Sequence, residues 1–189
     1  MNITRARFIG GVVGPDPLLD REYPQVAFIG RSNVGKSSVI NTITKSKTLA
    51  KTSSFPGRTQ EINLFLVNES FYLVDLPGYG FAKLSKDSQR KLRELIRWYL
   101  FDSGYDQRKV VLIIDAYVGL TESDKEMLEA LEAKGKDVVV VANKTDKIKK
   151  SVYRKQMDEI ISSVKGRTVI PFSTKDKRGV GELVEVISR

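Results

Sequence analysis

Positions 30–37 read Gly-Arg-Ser-Asn-Val-Gly-Lys-Ser, and the rest of the 189-residue chain is arranged around these eight residues. Glycine, four residues, then Gly-Lys-Ser is the spacing of a phosphate-binding loop. The spacing has a mechanical cause. Successive backbone N–H groups must turn inward around an anion, and Gly30 and Gly35 let the chain close up without a Cβ in the way. Arg31, Ser32, Asn33 and Val34 make up the cradle between them. Lys36 then reaches the β- and γ-phosphates, the Ser37 hydroxyl takes one position on a magnesium ion, and Ser38 completes the nucleotide-binding set. The flanks agree. Residues 25–29, Gln-Val-Ala-Phe-Ile, form a short apolar run that reads as a buried strand. Residues 38–44 continue as a helix, and a helix N-terminus accommodates an anionic phosphate well.

Outward from that loop, apolar runs alternate with helical patterns. Residues 3–13 have strand-like content before Gly14-Pro15-Asp16-Pro17 breaks the chain. Runs at 62–67 and 71–74 flank Asn68-Glu69-Ser70 and read as a hairpin, closed by Asp75. Ser85 is a candidate N-cap for a helix over 86–101, with Leu92, Leu95, Ile96, Tyr99 and Leu100 at helical spacing. Further strands are read at 110–114, 138–142 and 169–172. Helices are read from the capping box Thr121-Glu122-Ser123-Asp124 to near Lys134, from Ser151 to Lys165, and over 180–188. The pattern predicts an α/β fold with helices on both faces of a mostly parallel sheet of six strands, one of them antiparallel. Residues 1–24 are expected as an N-terminal extension packed on a domain spanning 25–189.

Composition narrows the chemistry. Histidine and cysteine are both absent, so imidazole bases, thiolate metal sites and disulfides are excluded. Cysteine-free composition, with no membrane-length apolar run and no signal-like N-terminus, gives the expectation of a cytoplasmic protein. Thirty-two Lys and Arg against 23 Asp and Glu leave a net charge of +9, which favours a polyanionic partner over plain solubility.

Three further motifs follow in order. Asp75-Leu76-Pro77-Gly78 ends an apolar strand, which puts the Asp75 carboxylate beside the metal and lets the Gly78 N–H sense a γ-phosphate. Asn143-Lys144-Thr145-Asp146 follows another strand. The Asp146 carboxylate there can accept from the N1–H and N2 amino group of guanine, which adenine cannot donate. The Lys144 stem packs on the base, and Ser173-Thr174 can offer a backbone N–H to guanine O6. Thr59, in Pro-Gly-Arg-Thr-Gln, is the candidate second hydroxyl on magnesium, with Gly57 and Arg58 beside it. Catalytic roles fall to Lys36, Thr59 and Gly78; the metal set is Ser37, Thr59 and Asp75. Where many such enzymes place a water-orienting glutamine, this chain has Tyr79.

The order of these motifs resembles the small GTPases, the P-loop NTPases with a Ras-like G domain. The fuller strings Gly-Arg-Ser-Asn-Val-Gly-Lys-Ser-Ser, Pro-Gly-Arg-Thr-Gln and Asp-Leu-Pro-Gly-Tyr-Gly-Phe-Ala are similar to the EngB family, also called YihA or YsxC, in the Era/TrmE-like group. That resemblance implies binding of GTP and GDP with Mg²⁺. It also implies slow hydrolysis awaiting a partner or an ion, a role in large ribosomal subunit assembly with rRNA as a partner, and a link to cell division and septation. Members often carry Thr where this chain has Asn143, which returns to the general GTPase pattern. In related GTPases an Asn at the position of Asn33 helps hold K⁺ near the phosphates. A monomer is expected. Two other readings compete: a small-molecule kinase on the same loop, which the guanine motif opposes, and a nucleotide-gated binding module with negligible turnover. For RNA, Lys86, Arg90, Arg93 and Arg97 form one stripe on the helix after the Asp75 loop, and Lys147, Lys149, Lys150 and Arg154 form a second cluster.

Overall fold

The computed structural model describes residues 2–20, 22–50, 61–80 and 84–189. Seven strands form one sheet: β1 (Ala6–Val12), β2 (Gln25–Gly30), β3 (Ile62–Val67), β4 (Phe71–Asp75), β5 (Gln107–Asp115), β6 (Val138–Asn143) and β7 (Val169–Pro171). Among the described residues five α-helices accompany them: α1 (Lys36–Ile43), α2 (Lys86–Arg97), α3 (Glu122–Ala133), α4 (Lys150–Ser163) and α5 (Val180–Ser188). The order across the sheet is β1-β3-β4-β2-β5-β6-β7.

The sheet is mostly parallel, and β3 is the strand that runs against its neighbours, pairing antiparallel with both β1 and β4. Seven strands stand where the apolar runs predict six. The added one is β1, which pairs with β3 from Ala6 opposite Val67 to Val12 opposite Ile62, with a bulge between Phe8 and Gly10. The hairpin turn secures this edge. Asn68 and Glu69 both take positive φ, and Asn68 Oδ1 accepts from the N–H groups of Thr4 (2.9 Å) and Arg5 (3.0 Å).

Strand side chains alternate between two buried layers. Ala27 and Ile29 of β2 pack with Leu95 and Ile96 of α2, Leu131 of α3 and Ile160 of α4. Val26 and Phe28 pack on the other face with Ile40 of α1 and Leu183 of α5. A sheet covered on both faces needs strands that are apolar throughout, which is why these read as continuous runs. In the sheet β2 is flanked by β4 on one side and β5 on the other, both parallel to it. A crevice therefore opens beyond the C-terminal end of β2, the place where open α/β sheets bind ligands.

Two boundaries depart from the sequence pattern. The helix expected to reach 101 ends its α-helical part at Arg97 and continues as a π-turn over Trp98–Asp102. The Tyr99 carbonyl is taken by the Ser103 hydroxyl (3.0 Å) and Gln107 Nε2 (3.0 Å), which widens the ladder. The helix expected to be capped by Ser151 begins two residues earlier, with Lys149 at the N-cap and no side-chain cap.

Candidate nucleotide site

The phosphate loop bends from β2 into α1 with Asn33 at φ 67° and Gly35 at φ 94°, both left-handed. Its glycines are sterically required: a Cβ at Gly30 would lie 2.4 Å from the Ile113 carbonyl oxygen, and one at Gly35 would lie 2.5 Å from Asn143 Nδ2. A Cβ at Gly78 would be tight, 3.1 Å from the Ser32 nitrogen. The Asp75–Gly78 segment is stitched to the loop by backbone bonds: Ser32 N–H donates to the Tyr79 carbonyl at 2.9 Å, and Tyr79 N–H to the Gly30 carbonyl at 3.3 Å. Buried Lys36 and buried Asp75 form an ion pair through Nζ and Oδ1. Ser37 and Ser38 open α1 beside it. Gly57, Arg58 and Thr59 lie outside the described residues.

A hundred residues further on, β6 ends at the same rim. The Asn143 amide donates to the Val34 carbonyl at 2.8 Å, and Lys144 Nζ donates to the Asn33 carbonyl at 2.6 Å. Two consecutive residues of one motif thus hold two consecutive carbonyls of the other. Lys144 sits at φ 68° and its ammonium also pairs with Asp115 at 2.6 Å. Asp115 was not singled out for this role by the sequence. The signal for it is the register of adjacent strands, which places Asp115 directly opposite Asn143. Buried Ser173 donates its hydroxyl to Asp146 Oδ1 at 2.9 Å, while its oxygen accepts from the Lys175 and Asp176 N–H groups. The hydroxyl therefore aims the carboxylate, a contact beyond the backbone donor expected at 173 and 174.

The polar groups present fit a magnesium nucleotide. Asn143 Oδ1 is buried and has no hydrogen-bond partner among the described residues, an orphaned acceptor at the rim where β6 meets the phosphate loop. The Ser37 hydroxyl and the Asp75 carboxylate, facing the loop, are oxygen donors of the hard kind that Mg²⁺ prefers, directly or through water.

Tyr79 points away from this groove. Its ring is buried and its hydroxyl donates to Asp124 Oδ1 at 2.7 Å. Asp124 Oδ2 accepts from Thr121 N–H (3.0 Å) and from Thr121 Oγ1 (2.6 Å), closing the capping box of α3. Arg31 Nε stands 3.5 Å from the same oxygen, an ion pair without hydrogen-bond geometry. Burial, and then the Asp124 charge, push the Tyr79 phenol well above its usual range and keep it protonated.

The α2 stripe is exposed, but two of its members are neutralised: Arg90 faces Asp87 at 3.5 Å and Arg97 faces Asp102 at 3.2 Å. Among the described residues, no helix is long and apolar enough to cross a membrane.

Comparison with known proteins places these features in a family. Residues 25–144 match the model of the 50S ribosome-binding GTPases, and residues 104–189 match the GTP-binding domain of elongation factor Tu. A probable GTP-binding protein EngB of Clostridium perfringens is 42% identical over 190 residues, covering 99% of this chain and 96% of that one. The crystal structure of a probable GTP-binding protein EngB superposes with a TM-score of 0.71 at 24% identity, covering 87% of this chain and 96% of the other. Era, in complex with MgGDPNP and nucleotides 1506–1542 of 16S ribosomal RNA, superposes with a TM-score of 0.69 at 26% identity, over 87% of this chain and 55% of Era.

Proposed function

This chain belongs to the EngB family of GTP-binding proteins and is a GTPase, and from that premise we propose that it works as a GTP-dependent switch in assembly of the large ribosomal subunit. The observation that carries the nucleotide part is the double tether of Asn143 and Lys144 to the phosphate loop, with Asp146 aimed by Ser173. It fixes the distance between the base-recognition loop and the phosphate loop.

Each residue then has a task. Asp146 accepts from the guanine N1–H and N2 amino groups, Asn143 orients the base edge, and Lys144 lies along its face. The backbone of residues 30–35 surrounds the β-phosphate with N–H donors. Lys36 exchanges its Asp75 partner for phosphate oxygens, which frees the Asp75 carboxylate to order water. Ser37, Asp75 through water, and Thr59 would hold Mg²⁺, which supplies charge neutralisation between the β- and γ-phosphates. Gly78 offers its N–H to the γ-phosphate. Tyr79 is committed to Asp124 and does not orient the attacking water, and hydrolysis is slow until a partner or K⁺ beside Asn33 contributes. The Asn33 side chain is exposed and makes no hydrogen bond among the described residues, which suits that ion.

The ribosomal part is supported by the printed description of the matched family, by the rRNA bound to Era, and by the net charge of +9. The cell-division and septation role, a cytoplasmic location and a monomeric state complete the proposal. The test is GTP turnover with and without purified large ribosomal subunits, together with pelleting of the protein on those subunits in GTP and in GDP. Stimulated turnover and nucleotide-dependent pelleting are expected. Pelleting without turnover in either condition would instead favour a nucleotide-gated binding module.

A further inference from the structure

Strands β6 and β7 run parallel and adjacent, so the loops that follow them leave the same end of the sheet side by side. They are bonded together there. Thr145 donates its N–H and its hydroxyl to the Phe172 carbonyl, at 3.1 and 2.9 Å. The Arg178 guanidinium lies 5.4 Å from the centre of the Tyr153 ring in the first turns of α4, joining that helix to the same surface. The β5–α3 loop borders it as well, since a Cβ added at Gly119 would stand 3.4 Å from Gln156 Nε2 of α4.

This face is strongly basic. Lys147, Lys149, Lys150, Arg154, Lys175 and Lys177 are all exposed, and among the described residues none of the six makes an ion pair. Both surfaces contain carboxylates, Asp87 and Glu94 in the α2 stripe and Asp146 and Asp176 here. In the stripe Arg90 and Arg97 are paired, whereas here Asp146 takes the Ser173 hydroxyl and Asp176 takes Arg178, leaving the six cations free of ion pairs among the described residues. The basic face also carries exposed apolar groups beside the charge: Tyr117 is 63% exposed and Val118 56%. Unpaired cations next to a solvent-facing aromatic ring suit a polyanion with flat bases, because the cations neutralise phosphates and the ring stacks a base.

We infer that RNA docks on this guanine-end face, with Lys149, Lys150 and Arg154 on the phosphate backbone and Tyr117 under an unpaired base, and that the α2 ridge is not the principal contact. The inference rests on the ribosomal reading above and names the surface that serves it. It also links the two ligands. The loop bearing Tyr117 begins at Asp115, and Tyr117 N–H donates to Asp115 Oδ1 at 3.0 Å while Oδ2 of the same carboxylate holds Lys144. RNA bound at Tyr117 therefore sits two residues from the anchor of the base-recognition loop, and any effect of nucleotide on RNA affinity is returned by RNA on nucleotide affinity by the same factor.

The test is filter binding of protein-free large-subunit rRNA across a salt series, with three variants. Lys149→Glu/Lys150→Glu/Arg154→Glu should bind at least about 100-fold more weakly at 0.1 M salt and lose about three units of the log–log salt slope. Tyr117→Ala should lose about 5- to 100-fold with the slope unchanged, as expected for one stacked base. Arg90→Glu/Arg93→Glu should bind like the parent, and all three should keep GTP affinity, which serves as the folding control. Loss confined to the α2 variant would overturn the assignment of the face and leave the RNA reading standing. A parent protein that binds no rRNA in GTP or in GDP would overturn the RNA reading itself. Retention on anionic phosphatidylglycerol vesicles with no rRNA binding would reassign the face to a membrane surface.

Discussion

At the end assigned to guanine, Asn143 and Lys144 each hold a phosphate-loop carbonyl, Asp115 holds Lys144, and Ser173 holds Asp146. At the γ-phosphate end, Lys36 rests on Asp75 and the Tyr79 phenol is turned onto Asp124. The first region is tied across to the phosphate loop; the second has its polar groups paired with one another. On the function proposed above, selectivity is a property of the folded chain itself, while the rate depends on what joins it. Preorganised donors cost no rearrangement at the moment of binding, whereas the γ-phosphate end must first exchange its internal partners.

The sharpest way to break this contrast is at Asp146. Asp146→Asn should weaken GTP binding on the order of 10³-fold and favour xanthosine triphosphate, whose O2 replaces the amino donor. Calorimetric titration with GTP, ATP and XTP measures it, and comparable affinity of the parent for ATP and GTP would end the guanine reading. Next in size is the Asp115 anchor. Asp115→Ala should cost about tenfold in affinity for both GTP and GDP, the scale of one hydrogen bond to a charged group. Lys144→Ala in that background should add much less than it does alone, and additive losses would show that the two side chains act separately.

Smaller effects are expected at the γ-phosphate end. Turnover in K⁺ should exceed that in Na⁺ at equal ionic strength by about fivefold, below the loss for a full oxyanion donor because solvent shares the charge. Asn33→Ala should abolish the difference; equal rates in both salts for the parent would remove the ion from the proposal. The smallest kinetic effect belongs to Tyr79→Phe, whose turnover should stay near that of the parent because the phenol faces away from the groove. Its stability should fall by about 1–2 kcal/mol, for the lost bond to a buried carboxylate. The pH dependence has a defined sign. The folded phenol is held above the unfolded value near 10, so the stabilisation is complete below that pH and is lost as pH rises above it. The parent's unfolding midpoint should therefore drop more steeply above pH 10 than that of Tyr79→Phe; parallel slopes would place the ring in water.

Much of this architecture is visible in the amino-acid order because its causes are local. The central strands are apolar throughout since both faces are covered, and Thr121 with Asp124 announces the start of α3. What stays hidden depends on partners distant in the chain. Asp124 reads as a helix cap, and its second task appears only when Tyr79, 45 positions earlier, is brought against it. The widened turn after α2 comes from Gln107 reaching back to the Tyr99 carbonyl, which no periodicity encodes. The seventh strand belongs to the sheet through pairing with β3, from Val12 opposite Ile62 to Ala6 opposite Val67, far along the chain. Asp115 is legible as the end of a strand, yet its hold on Lys144 needs the register of β5 against β6.

The contact between Gly35 and the Asn143 amide bears on how such a chain can change over generations. The bond from Asn143 to Val34 spans 109 positions, and a Cβ at Gly35 would collide with the nitrogen that makes it. The constraint runs one way. A side chain at 35 meets both the Asn143 amide and a backbone at φ 94°, which shortening 143 does not relieve, whereas 143 can shorten with glycine still at 35. Position 143 should therefore vary among related chains while 35 stays glycine.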